Sequence, residues 1–148
     1  MEFLLGIAAS ALVVLILGYL LCAIGWWKMF QKAGQTSPML RALIPIWNIY
    51  TLFKIAWNTG MFWVAFVLEI SGSVISKIVE NGGGSGMLGS IGTLIMVAGF
   101  VISVMNFYKV SRSFGHGVGF TILFIFFPWL TSMILGFGES RYYGPNAY

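Results

Sequence analysis

The sequence predicts an all-α membrane protein: four transmembrane helices, with one interfacial or re-entrant helix between the first and the second. Three observations predict it. Phe3–Gly25, FLLGIAASALVVLILGYLLCAIG, carries no charge over 23 residues, about 34 Å as a helix against a hydrocarbon core of roughly 30 Å. Three further apolar stretches follow, at Met61–Ile78, Met87–Tyr108 and Val118–Phe137. The chain of 148 residues is 59% hydrophobic and 8% charged, whereas a soluble domain is about 25% charged. Too little is left outside the apolar stretches to fold by itself, so residues 1–148 read as a single integral membrane domain. The 17% aromatic content suits a chain with many Trp and Tyr side chains at membrane interfaces.

The first span is a poor cleavable signal peptide. It has Glu2 in place of a basic n-region, its apolar core is too long, and no A-x-A-like site follows. It is expected to remain a helix. Cys22, the single cysteine, has no disulfide partner in the chain. Leu20 and Leu21 stand where a lipoprotein signal wants a small residue, so Cys22 reads as a packing residue.

The long connection Trp26–Gly60 is not a plain loop. Met39–Trp57, MLRALIPIWNIYTLFKIAW, is strongly apolar but carries Arg41, Pro45, Asn48 and Lys54. A fifth span would put charges near both ends and a proline and an asparagine in the core. A helix broken near Pro45, lying in the interface or dipping into the bundle, is the preferred reading. The second span has Glu69 near its middle. Asn81–Gly86, NGGGSG, is a flexible turn. Lys109, Arg112 and His116 end the third span, and Pro128 is expected to kink the fourth.

Charge orients the elements. With four spans, Lys28, Lys32, Arg41, Lys54, Lys109 and Arg112 fall on one side and Lys77 and Arg141 on the other. That bias places the basic connections in the cytoplasm and both termini outside. The net charge of +4 is therefore topology information; there is no basic soluble face for nucleic acid. Lys28-x5-Gly34 followed by Pro45 echoes Lys109-x5-Gly115 followed by Pro128, a hint of a parallel internal repeat.

The block Ala42-Leu43-Ile44-Pro45-Ile46-Trp47-Asn48-Ile49-Tyr50 and the later run Ser113-Phe114-Gly115-His116-Gly117-Val118-Gly119-Phe120 occur together here, with Tyr143-Gly144-Pro145 near the end. In this the chain resembles a family of small uncharacterised bacterial integral membrane proteins, a domain-of-unknown-function family, over roughly Trp26 to Pro145. The resemblance implies bacterial origin and a cytoplasmic (inner) membrane location, and no mechanism. Some members carry a signal peptidase label. That chemistry needs a serine nucleophile, a neutral lysine and an extracytoplasmic domain to hold them. Ser37-Pro38-Met39 only superficially matches the serine box and falls in the cytoplasmic connection, so no enzyme is expected.

Glu69 is the sharpest single residue. A carboxylate at mid-bilayer is costly unless protonated or paired and often marks an ion or proton path. It also serves as helix glue when bonded to Ser71, Asn106 or a backbone carbonyl, and Glu69 with Asn106 is the expected intramembrane polar site. His116 sits between glycines and reads as a solvated turn residue. Four scattered glutamates, no aspartate and one histidine give neither a metal site nor a carboxylate pair, and no cofactor motif is present. Small residues four apart, Gly6 and Ser10, Gly18 and Cys22, Gly99 and Ser103, mark packing faces, first within the subunit and second between subunits. The basic, aromatic connection is read as a positive-inside anchor before an anionic-lipid site. The functional expectation is a non-enzymatic accessory or scaffold subunit of a membrane complex, with a membrane-protein partner or a homo-oligomer in the bilayer. The alternative is a small oligomeric channel or transporter with Glu69 and the broken Pro45–Asn48 segment in its path.

Overall fold

The computed structural model describes residues 1–146, and each secondary-structure element among them is an α-helix: α1 (Glu2–Lys32), α2 (Pro38–Leu43), α3 (Pro45–Ala56), α4 (Thr59–Glu80), α5 (Gly86–Ser113), α6 (Val118–Phe126) and α7 (Pro128–Phe137). Three of them, α1, α4 and α5, are long and apolar enough to cross a membrane. They contain the spans expected at 3–25, 61–78 and 87–108.

All three long helices stop by the same device. Gly34, Gly82 and Gly115 take φ of +65°, +80° and +79°, a left-handed conformation that glycine adopts at little cost. The next N–H then returns to the last turn: Gln35 to the Phe30 carbonyl at 3.0 Å, Gly83 to Ile78 at 2.9 Å, His116 to Ser111 at 2.9 Å. The Asn81–Gly86 turn therefore does more than add flexibility. Gly82 ends α4, and the Ser85 hydroxyl caps α5 by accepting from the Leu88 N–H at 3.4 Å.

The expected fourth span over Val118–Phe137 is corrected: it is not one helix. α6 and α7 have 9 and 10 residues, about 14 and 15 Å, and the chain folds back between them at Phe127. Ser140, just beyond α7, meets His116, just before α6, with Oγ 2.7 Å from Nε2. A straight helix over the same residues would hold its two ends about 30 Å apart. Pro128 supplies the reason. It is the first residue of α7, where a missing N–H is no loss, and it opens a second helix rather than kinking one. The C-terminal segment consequently lies at the end of the bundle where α1 and α5 finish, not at the opposite end that a fourth span requires.

Met39–Trp57 folds back in the same manner, broken where the sequence indicates. α2 ends at Leu43, Ile44 is extended (φ −89°, ψ 117°) and Pro45 opens α3. α2 climbs back along α1 until the Tyr19 hydroxyl donates to the Leu43 carbonyl at 2.7 Å. α3 returns, and the carbonyls of Ile55 and Ala56 accept from the Tyr142 hydroxyl at 2.7 Å and the Asn146 N–H at 2.9 Å.

Helix, turn and hairpin thus occur twice, as α1–α2–α3 and as α5–α6–α7, which is the repeat hinted at by the two Lys-x5-Gly…Pro sets. Each hairpin lays its first helix on its own long helix and its second on the other's: α2 on α1, α6 on α5, α3 on α5 and α7 on α1. The α1–α7 approach is close, since a Cβ on Gly25 would stand 2.5 Å from Ser132 Oγ. α4 stands outside the repeat, packed on α5 and α3. The buried core lies in the half that holds the hairpins, built from Met29, Phe30, Leu52, Ile55, Val110, Phe114, Phe124 and Leu135. In the other half the α1 backbone, among the described residues, stays apart from α4 and α5, and Leu12, Val13, Val14, Leu15, Ile16 and Leu17 are all exposed.

Candidate functional site

Depth comes first. The Asn58 side chain caps α4 by accepting from the Met61 N–H at 2.9 Å, which fixes where this helix begins. Glu69 then falls ten residues after Thr59 and eleven before Glu80, about 15 Å of helix from either end. It is exposed at the surface of the bundle.

Its partner is set by how closely α4 and α5 approach. A Cβ on Gly72 would lie 2.7 Å from the Gly92 carbonyl oxygen, and one on Gly99 would lie 2.8 Å from Glu69 Cγ. At that separation the Ser103 hydroxyl donates to Glu69 Oε1 at 3.1 Å. The partners expected from sequence are elsewhere. Ser71 donates to the Val67 carbonyl of its own helix at 2.7 Å. Asn106 is 2% exposed, and its Oδ1 is buried with no hydrogen-bond partner. Glu69 and Asn106 therefore do not form the expected pair. Of the small pairs, Gly99 and Ser103 do pack within the subunit, whereas a Cβ on Gly6 or Gly18 would meet nothing within 4 Å.

Aromatic rings from α3 and α4 wall the carboxylate on one side. The Phe62 ring is 5.9 Å from Phe53, 5.3 Å from Tyr50 and 5.6 Å from Phe66, nearly parallel to the last at 21°. Phe53, Phe62, Phe66, Glu69 and Ser103 line a cavity of about 60 Å³. On the far side of the carboxylate a wider hollow of about 330 Å³ runs along α4 past Ser73 to Lys77. The rings and Ser103 carry no sequence signal for this role, because the packing of α3 and α5 on α4 brings them to Glu69.

The candidate residues of the first hairpin have structural partners. Arg41 Nε donates to the Thr36 carbonyl at 2.7 Å, and the guanidinium lies 5.0 Å from the Trp47 ring centroid. Asn48 is 1% exposed; its Nδ2 donates to the Tyr19 hydroxyl at 3.2 Å, tying the hairpin tip to α1, while its Oδ1 is buried and unpartnered. Lys54 is exposed near the end of α3. His116 is not the solvated turn residue expected. Its ring stacks on Phe120 at 3.9 Å and 17°, and burial pushes its pKa below the ordinary 6.5. Among the described residues, His, Cys, Asp and Glu do not gather in groups of three or more.

With this geometry in place, the comparison with known families is specific. A family model, a family of unknown function designated DUF5684, matches residues 40–145. The chain belongs to the DUF5684 family. The match takes in α3 to α7, and so the whole Glu69 site, the hairpin helices opened by Pro45 and Pro128, and the C-terminal segment as far as Pro145; all of α1 and the start of α2 lie before it. No curated protein and no solved structure matches the chain.

Proposed function

We propose that this DUF5684 protein is a non-enzymatic accessory or scaffold subunit of a membrane complex, set in the cytoplasmic membrane of a bacterium. One observation carries the reading: Glu69 is exposed on α4 at mid-span, where a lone carboxylate costs about 2.5–3.5 kcal/mol. A neighbouring chain against that face relieves the cost. The uncovered outer half of α1 supports the same reading. In the proposed orientation the hairpins enter from the cytoplasm, α1 begins outside, and the C-terminal segment is cytoplasmic. The test is gentle purification of tagged protein from its native membrane, with every stoichiometric component identified by mass. A reproducible partner is the expected result; a homo-oligomer alone overturns the accessory role.

A second reading is favoured by the hollow that joins Glu69, Ser73 and Lys77 along one face of α4. Such a stripe suits a small oligomeric channel or transporter with Glu69 in its path. Ion flux in reconstituted vesicles that Glu69→Gln abolishes is the result it requires, and no flux from the parent protein rejects it.

A further inference from the structure

We propose that Glu69, Ser103 and the rings of Phe53, Phe62 and Phe66 form a binding site for a primary ammonium group. The proposal deepens the accessory-subunit reading and rests on it for the source of that group, a lysine on a partner's transmembrane helix; a free alkylamine has the same chemistry.

Each part of the site selects for such a cation. The carboxylate supplies the opposite charge at a depth where nothing else offsets it, and Glu69 makes no ion pair among the described residues. Lys77 lies on the same face of α4, but eight residues on, about 12 Å of helix away. The Ser103 hydroxyl, already donating to Oε1, keeps its lone pairs to accept from an N–H. Phe53, Phe62 and Phe66 present rings beside the carboxylate, and the negative face of an aromatic ring attracts a desolvated cation. Ile46, Ile49 and Ala65 complete an apolar lining that keeps water away.

Hydrogen bonding narrows the class. The cavity beside Glu69 has room for a small polar head group. A primary ammonium brings N–H donors for the carboxylate and the Ser103 oxygen, whereas a trimethylammonium group has none to give. The depth of Glu69, about 15 Å of helix from either end of α4, suits a lysine stem arriving from a neighbouring helix better than a headgroup from the interface.

The test uses the full chain in phosphatidylcholine nanodiscs and two kinds of probe. One is a synthetic apolar transmembrane helix, dye-labelled, with a single Lys at its midpoint, set against the same helix with Leu there. The other is butylammonium, set against tetramethylammonium. Expected is at least tenfold tighter association of the Lys helix than of the Leu helix, with the difference lost in Glu69→Gln. Saturable competition by butylammonium but not tetramethylammonium extends the site to free amines; no competition assigns it to the partner helix alone. Equal binding of the two helices, or undiminished preference in Glu69→Gln, overturns the proposal. Phe66→Leu and Ser103→Ala, each lowering the Lys preference severalfold, serve if Glu69→Gln does not fold. A partner recovered from native membranes that leaves this site free sinks the ammonium site and not the accessory role.

Discussion

Lys32 shows how one side chain sets the end of an element far away in sequence. Its Nζ donates to the carbonyls of Leu135, Gly138 and Ser140 at 2.8, 2.7 and 3.0 Å, satisfying the C-terminal carbonyls of α7 and complementing that end's partial negative charge. Lys32→Met keeps the stem and removes the three donors. Unfolding in mixed micelles should then show a loss of roughly 1.5–3 kcal/mol, the worth of a hydrogen bond to a charged group. His116 yields a prediction of opposite kind. Burial holds its pKa below 6.5, so the fold favours the neutral ring. As pH falls past about 6.5 the unfolded chain protonates first, and stability present above that value is lost down to the lower folded value. The thermal midpoint should therefore drop from about pH 7 to about pH 5 in the parent and hold steady in His116→Gln. A parent midpoint flat over that range removes the assignment.

Among the elements, the α4–α5 pair depends on glycine at the contact. Gly99 has Glu69 Cγ 2.8 Å and the Ala65 oxygen 3.2 Å from where a Cβ would stand. Gly99→Val should force the helices apart at a cost of about 1–3 kcal/mol and break the Glu69–Ser103 bond with it. Gly18→Val, with open space around it, should change stability by less than about 0.5 kcal/mol. Denaturation of the two variants side by side checks the contrast. The same elements show what a sequence exposes. α1 and α5 were legible because each carries an uncharged apolar window long enough to cross a bilayer, and α4 because its apolar run outweighs the Glu69 within it; the break before Pro45 was legible because Arg41, Asn48 and Lys54 rule out a plain span. The α6–α7 hairpin was not, since Val118–Phe137 has the same length and hydropathy whether it crosses or folds back. The meeting of His116 with Ser140 and the packing of α7 on α1 decide that, and both depend on tertiary contact. Glu69 was legible from its cost, whereas Ser103 was not, because partner choice follows from glycine-set register.

At the scale of the molecule, the two hairpins and the charge distribution imply the same orientation. Of eight Lys and Arg, Lys28, Lys32, Arg41, Lys54, Lys109, Arg112 and Arg141 belong to the hairpin end, and Lys77 is on α4 near the other. Folding α6–α7 back therefore moves Arg141 from the minority side to the majority side, sharpening the bias that four spans gave. Positive residues stay in the cytoplasm, so the C-terminus should be cytoplasmic and the Asn81–Ser85 turn outside, separated by one crossing of α5. Paired reporters, one active only inside and one only outside, fused after the last residue and inserted at Gly83, test this. Opposite compartments are expected. Both reporters outside would restore a fourth crossing, and would require the contacts of Lys32 and His116 with Ser140 to be absent in the membrane.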